Sequence, residues 1–505
     1  MRVQAARSHL LAPRSEHRDN GDEVRYERPI ASFSKGLPHD ERGEVEAGAY
    51  AAYLDALDSG DPADFENIPM GSPEGGRLAI QKLVNPQAGL AFDMEGADAQ
   101  YPTLPPAPTF DSAEEAGEIV ECWWMALLRD VPFSNYVFHP LARQAADELS
   151  GLGDFRGPKQ SGRVTPDTLF RGTTAGDLNG PFISQFLWRP APFGSQFVDQ
   201  RMRAPAAGRD FMTQYDEWLN IQNGLAPSAE LSFAPVRRYI VTGRDLSQWV
   251  HVDVLFQAYF NACLILITPP DADLTAGGIG APLNVGNPYN ESRNQIGFGT
   301  LGAPFIKTLM CEVATRALKT VWFQKWFVHR RLRPEEFAGR VHQHMTGAAE
   351  YPIHAEALNA TALDELFARH GSYLLPMAFP EGCPMHPAYG AGHATVAGAC
   401  VTILKAMFDE SFVIPNPMMP DPVDPTRLVA YDGPPLTVGG ELNKLASNVA
   451  LGRGIAGVHW RSDVAESLRL GEAVAIHILR DQMSCFNERL SGFTFTTFDG
   501  ETITV

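Results

Sequence analysis

Apolar residues recur every three or four positions along most of the chain beyond about residue 110, and long runs of strict alternation are scarce. That spacing is the period of amphipathic helices. It predicts helices at about 140–150, 211–223, 244–266, 307–331, 355–370, 394–409, 441–452 and 463–485. Ahead of these, Ser112 and Glu115 form a capping-box pattern before the strongly apolar stretch 119–128, which predicts one more helix. The tail 493–505 is the exception, since its residues alternate around Asp499-Gly500, a hairpin signal. No internal repeat is present. The fold class expected is mainly α: helical bundles with a small C-terminal β-hairpin.

The same pattern divides the chain. Residues 1–110 are rich in charge, Pro and Gly, and read as an extended N-terminal arm followed by loops, the arm either mobile or wrapped over a neighbour. An N-terminal helical part is expected over 111–300, a C-terminal helical part over 301–490, and the hairpin over 491–505, all within one integrated domain. The connection 414–422 is Pro-rich, as are loops that stiffen over a site or an interface.

Composition narrows the function. The chain has 505 residues, 44% of them hydrophobic and 20% charged, as in globular proteins with a large core. A net charge of −19 argues against a nucleic-acid partner, which requires a basic footprint. The apolar run 261–267 stops at Pro269-Pro270, too short to cross a bilayer, so no membrane partner is expected. The first thirty residues do not read as a secretory signal. Cytoplasmic residence is the default expectation, with periplasmic or extracellular residence left open. The six cysteines lie far apart without metal-ligand spacing, and most sit in apolar contexts suited to buried thiols.

Against that acidic background, three stretches concentrate chemistry. The first runs Lys325-Trp326-Phe327-Val328-His329-Arg330-Arg331-Leu332-Arg333-Pro334. It starts on the predicted helix 307–331, where Lys325 and Arg333 would stand about 80° apart, with Pro334 disfavouring helix at Arg333. A plain alternative is a basic helix end that complements the dipole. The second is His386-Pro387-Ala388-Tyr389-Gly390-Ala391-Gly392-His393, a glycine turn opening a helix, where free N–H groups suit an anion. Its plain alternative is a turn with two loop histidines. The third runs from Arg453 to Asp463. Gly454 and Gly457 are expected to break any helix after Arg453 and display His459. Ser462 or Asp463 would then cap the closing helix, with Glu466 three residues past Asp463. Asp463 is also placed to accept the Nδ1 proton of His459 and leave Nε2 free. Together the stretches suit a tetrahedral oxyanion that passes through a five-coordinate state, phosphate or vanadate.

Lys, a spacer, Arg-Pro, then Gly-His, then Arg453 with His459 six on and Asp463 four beyond resembles the signature of the type 2 phosphatidic acid phosphatase and vanadium haloperoxidase superfamily. The fuller motifs are similar to the algal and cyanobacterial vanadium-dependent bromoperoxidases, as are stretches 126–133, 180–186 and 216–224, so the resemblance spans about 110–485. It implies a vanadate cofactor, with vanadium in the +5 state and neither haem nor flavin. Lys325, Arg333, Arg453, His386 and the Gly392 N–H would hold the vanadate oxygens, and His459 Nε2 would be the axial ligand. His393 would handle protons, with Lys325 and His386 completing the catalytic set. His386 stands where histidine favours bromide over chloride. The reaction implied uses hydrogen peroxide to oxidise bromide, or iodide, to a hypohalous species that halogenates small organic acceptors. Homo-oligomers are also implied, with dodecamers among related bromoperoxidases.

One departure from the family pattern is Ala391, where a serine hydroxyl usually stands. Loss of a hydrogen bond to a charged group removes about 1.5–3 kcal/mol, so vanadate binding is expected to weaken by roughly tenfold or more. Two other readings use the same residues: a phosphatase with His459 as nucleophile and His393 as acid, or a catalytically weakened oligomeric relative.

Overall fold

The computed structural model describes residues 15–72, 81–270 and 277–505, together with Val3, Arg7 and Leu11. Its first long helix, α1 (Ala47–Ser59), lies inside the stretch expected to be arm and loops. Tyr50, Tyr53 and Leu57 of α1 join Phe33 and Leu37 in a buried cluster with Trp326. Residues 33–57 of the arm are therefore anchored on this chain's own Lys325 segment. Its aromatic rings were the available signal. Ring edges meet there, with Phe33 5.9 Å and Tyr53 6.1 Å from the Trp326 centroid.

Helix α2 (Ala113–Leu127) opens where expected, with Ser112 Oγ accepting the Glu115 N–H at 3.1 Å. Trp123 and Trp124 are fully buried on it, and burying side chains of this size stabilises by about 3 kcal/mol each. Helices α3 (Pro140–Gly151), α4 (Tyr215–Gln222), α5 (Gly243–Trp249) and α6 (Gln257–Ile267) follow. The single helix expected at 244–266 is thus two. A capping box between Thr242 and Asp245 starts α5, and a non-helical segment with three β-branched valines, Val250, Val252 and Val254, separates it from α6.

Helix α7 (Ala303–Phe323) runs into a π-helical segment, Gln324–His329, and Arg330 then takes a left-handed φ of 40°. Helix α8 (Pro334–Met345) begins afresh with Pro334 at its first turn and Arg333 as N-cap. Lys325 and Arg333 therefore sit on different elements, not 80° apart on one helix. A short turn, Ala355–Leu358, precedes α9 (Thr361–His370), so the helix expected at 355–370 is also divided.

Three helices complete the bundle: α10 (Gly392–Met407), α11 (Val438–Ile455) and α12 (Arg461–Met483). The α11 helix carries on through Gly454 to Ile455, and Gly457, with φ 88°, turns the chain just past the Ala456 C-cap. Gly452 and Gly454 do not break it, because a glycine costs a helix interior only about 1 kcal/mol, which the packing of this buried helix offsets. Nor do Ser462 or Asp463 form the α12 N-cap, which is Trp460; Asp463 is the third helical residue.

Helix α10 is buried except at His393 and packs against α7, α11 and α12. Its approach to α12 is set by two glycines. A Cβ at Gly398 would stand 2.1 Å from Leu468 O, and one at Gly471 would stand 2.0 Å from Thr395 O. Only residues without side chains allow that crossing. One continuous apolar core joins α2 through α12, across both expected helical parts.

Strands are confined to antiparallel pairs among the described residues: β1 (Ala191–Phe193) with β2 (Gln196–Val198), β3 (Met418–Pro420) with β4 (Leu428–Ala430), and β5 (Thr494–Thr496) with β6 (Thr502–Thr504). The last is the expected hairpin, turning at Asp499-Gly500 with Thr494 opposite Thr504. The protein is mainly α. Cysteines are free, and Cys122, Cys263, Cys383 and Cys400 are buried. No helix among the described residues is long and apolar enough to cross a membrane.

Candidate active site

His459 sits in the short connection between α11 and α12. Gly457 turns the chain, and the first turn of α12 then supplies Asp463, whose Oδ2 lies 2.8 Å from His459 Nδ1 and 3.0 Å from the Trp460 N–H. One carboxylate oxygen thus orients the imidazole and closes a helix end. On the other side of the ring, Arg333 Nη1 stands 3.0 Å from Nε2. A guanidinium only donates, so Nε2 accepts and the proton is on Nδ1.

Arg333 is buried, with four of its five N–H donors engaged. Nε donates to His386 O at 2.9 Å, Nη1 also to Val458 O at 2.6 Å, and Nη2 to His386 Nδ1 at 2.8 Å. One side chain at the α8 N-cap thereby joins the second and third sequence stretches. Lys325, on the π-helical segment, donates to Pro387 O at 2.8 Å and Ala388 O at 3.0 Å in the turn before α10. Arg453, near the end of α11, donates through Nη1 to Val250 O at 2.7 Å, while its buried Nε has no partner.

The α10 N-terminus completes the arrangement. Gly392 is its first residue, so its backbone N–H lies outside the helix ladder. Ala391 is the N-cap, fully buried, and its N–H donates to Ser467 Oγ of α12 at 2.8 Å. His393 is partly exposed, with Nε2 3.0 Å from Asp253 Oδ1. His386 packs its ring 4.8 Å from that of Trp322.

His386, Gly392, His393, Arg453 and His459 line one cavity of about 500 Å³, with Lys325 and Arg333 immediately behind that lining. The structure therefore brings all the predicted positions to one place, with Asp463 and Ala391 as supports.

The electrostatics follow from burial. Lys325, Arg333 and Arg453 bond to carbonyl oxygens and imidazole nitrogens, not to carboxylates. Desolvation, with mutual repulsion, pulls Lys325 well below the usual lysine range and Arg453 down to about 10. Desolvation also lowers Arg333. The same burial, reinforced by Lys325 and Arg333, holds His386 and His459 well below the ordinary imidazole value, so both are neutral. Among the described residues no group of three or more His, Cys, Asp or Glu could hold a metal cation. Such a donor set lacks an anion. Cations, a free helix-start N–H and one imidazole lone pair fit an oxyanion whose central atom can accept a nitrogen donor.

Comparison with known proteins agrees. A family model described as the VCPO second helical-bundle domain matches residues 312–488. Vanadium-dependent bromoperoxidases from Corallina pilulifera and Ascophyllum nodosum are each 37% identical to the chain, over 96% and 94% of it and 94% and 86% of their own lengths. The chain belongs to the vanadium-dependent bromoperoxidase family. The fold is shared as well. A second vanadate-dependent bromoperoxidase of Ascophyllum nodosum, a homohexamer, superimposes with a TM-score of 0.92 at 31% identity, covering 99% of this chain and 88% of that one.

Beyond its family motifs, this bromoperoxidase relative has site neighbours that sequence reasoning passed over. Asp253 comes from the non-helical segment between α5 and α6. His251 and Leu255 line the cavity and Asp253 meets His393, whereas Val252 and Val254 face outward, 70% and 57% exposed. Alternation across 250–256 was the available signal, hidden by the assumption of one helix. His251 stacks on Phe379 at 3.8 Å and pairs with Glu381 at 2.5 Å on the cavity wall. Behind His459, Arg331 pairs with Asp463, Glu115 and Glu118. Glu115, Glu118 and Glu121, recurring every three residues into a strongly apolar helix, were the clue, because buried carboxylates require partners.

Proposed function

We propose that the chain is a vanadium-dependent bromoperoxidase that oxidises bromide with hydrogen peroxide and passes the oxidised halogen to small organic acceptors. The observation that carries this reading is His459, with Nδ1 held by Asp463 and Nε2 turned to Arg333, beside buried Lys325 and Arg453 that form no ion pair with a carboxylate. Overall, peroxide, bromide and one proton yield hypobromous acid and water. The chemistry supplied by bound vanadate, with vanadium in its +5 state, is Lewis-acid polarisation of the peroxide for attack by bromide.

The chain's residues do the rest. Lys325, Arg333 and Arg453 offset the oxyanion charge, with the unpartnered Arg453 Nε and the Gly392 N–H as ready donors. Both arginines are already held by neighbouring carbonyls, so binding involves little reorganisation. His459 offers its lone pair, kept on Nε2 by Asp463. His393, facing the cavity and steadied by Asp253, moves the proton between peroxide and solvent. Neutral His386 lies against Trp322 at the cavity wall, and the bromide preference rests on the family resemblance at this position. The Ascophyllum homohexamer supports a homo-oligomer here, and light scattering decides between a hexamer and the dodecamer implied by sequence resemblance.

The test is bromination of a phenolic acceptor assayed beside phosphate-ester hydrolysis, with and without orthovanadate. Vanadate-dependent bromination with little hydrolysis is expected. Hydrolysis that vanadate inhibits, without bromination, overturns the reading.

A further inference from the structure

Helix α2 carries Glu115, Glu118 and Glu121 three residues apart, all buried, with Glu115 facing Arg331 and Glu118 and Glu121 meeting the start of α12. Glu118 receives the Ser462 N–H at 2.5 Å and its hydroxyl at 2.9 Å, while Glu121 pairs with Arg461 through Nε at 2.7 Å. Arg331 lies between these layers. Its Nη2 binds Glu115 and, at 2.9 Å, Glu118; its Nη1 binds Asp463 Oδ1 at 2.9 Å and Ser462 Oγ at 2.8 Å. Asp463 gives its other oxygen to His459. A continuous chain of contacts therefore runs Glu118–Arg331–Asp463–His459, entirely out of solvent.

We propose that Glu118, acting through Arg331 and Asp463, is a positioning residue for His459 that holds the imidazole lone pair toward the vanadate site. The inference rests on the bromoperoxidase reading. Geometry supports it twice over, because Glu118 fixes both the charge partner of Asp463 and the backbone turn on which Asp463 stands. Stability alone gives no reason for the cluster. Buried ion pairs rarely repay their desolvation, and here Arg331 Nε and Glu115 Oε1 are buried without partners. Burial pulls Arg331 down, but Glu115, Asp463 and Glu118 outweigh it and raise it above the ordinary arginine value, so the cation is permanent. Without Glu118, that cation would draw harder on Asp463 and weaken its hold on the Nδ1 proton.

Glu118→Gln tests this, with Glu121→Gln as control, since Glu121 belongs to the same buried row but pairs with Arg461. The measurements are dissociation constants for vanadate and for inorganic phosphate, the ⁵¹V resonance of bound vanadate, the His459 ¹⁵N shifts of vanadate-free protein, and thermal unfolding. Supporting partners of a metal-bound histidine are worth about 10–100-fold in affinity. Glu118→Gln is accordingly expected to weaken vanadate about tenfold or more, leave phosphate unweakened, and move both NMR signals. Glu121→Gln should lower the melting temperature and leave vanadate affinity unchanged. Equal loss in both variants, or unchanged vanadate affinity and ¹⁵N shifts in folded Glu118→Gln, overturns the proposal. Should Glu118→Gln fail to fold, Glu118→Asp carries the same comparison. Wild-type protein that binds no vanadate defeats the bromoperoxidase reading instead, so the two failures are distinguishable.

Discussion

Asp463 Oδ2 lies 2.8 Å from His459 Nδ1, and both belong to the first turn of one helix and its lead-in. Local geometry, not distant packing, makes this pair. Asp463→Asn should weaken vanadate binding by about 10–100-fold, because an amide N–H facing Nδ1 drives the ring proton onto Nε2. His459→Ala should abolish retention through equilibrium dialysis. An unchanged dissociation constant in either variant contradicts the axial assignment.

Asp253 touches His393 and none of the three cradle cations. With vanadate saturating, Asp253→Asn should lower kcat for bromination by about tenfold or more, a part of what a general acid–base group contributes. Vanadate affinity should change little. Steady-state kinetics beside dialysis separates the two, and loss of affinity with intact kcat would reassign Asp253 to anion binding.

Ala391 occupies the α10 N-cap with no side-chain bond of its own. Ala391→Ser should stabilise the protein by about 0.5–2 kcal/mol, since serine caps the first-turn N–H groups. The hydroxyl can also donate toward the cavity, so vanadate binding should tighten by roughly tenfold. Calorimetry reads both. Weaker binding would mean that the new side chain points away from the anion.

His329 is buried in the π-helical segment with both ring nitrogens unpartnered. Burial, aided by His17, Arg330 and Arg331, lowers it from 6.5 to about 3. Between these values the unfolded chain binds a proton that the folded chain refuses. The wild type therefore loses up to about 1.4 kcal/mol per pH unit from this group as pH falls below 6.5. His329→Gln lacks the penalty, so urea unfolding should show the wild-type advantage shrinking on acidification. A difference constant with pH would mean that His329 is paired by water.

The chemical identity of the site was legible residue by residue. The spacing Arg453–His459–Asp463 and the Gly392-His393 helix start each encode a local geometry that the fold retains, and the Lys325–Arg333 segment reaches the same place by a different local path. Helix period and the Asp499-Gly500 turn were legible for the same reason. Where local signals competed, the reading failed. The basic stretch looked like one helix, but the π-helical segment, left-handed Arg330 and Pro334 divide it. The 250–256 break was concealed by apolar residues on both sides.

By itself, then, the sequence determined which groups are present and how each is displayed on its own element, because hydrogen-bond spacing and side-chain period act over a few residues. Tertiary structure decided which groups meet. Arg333 reaches His459, Asp253 reaches His393, and Glu118 reaches Ser462 only because long-range packing, including the glycine-to-backbone crossing of α10 and α12, fixes separate elements at contact distance. Such distances depend on the volume and shape of the whole core, which no local pattern contains.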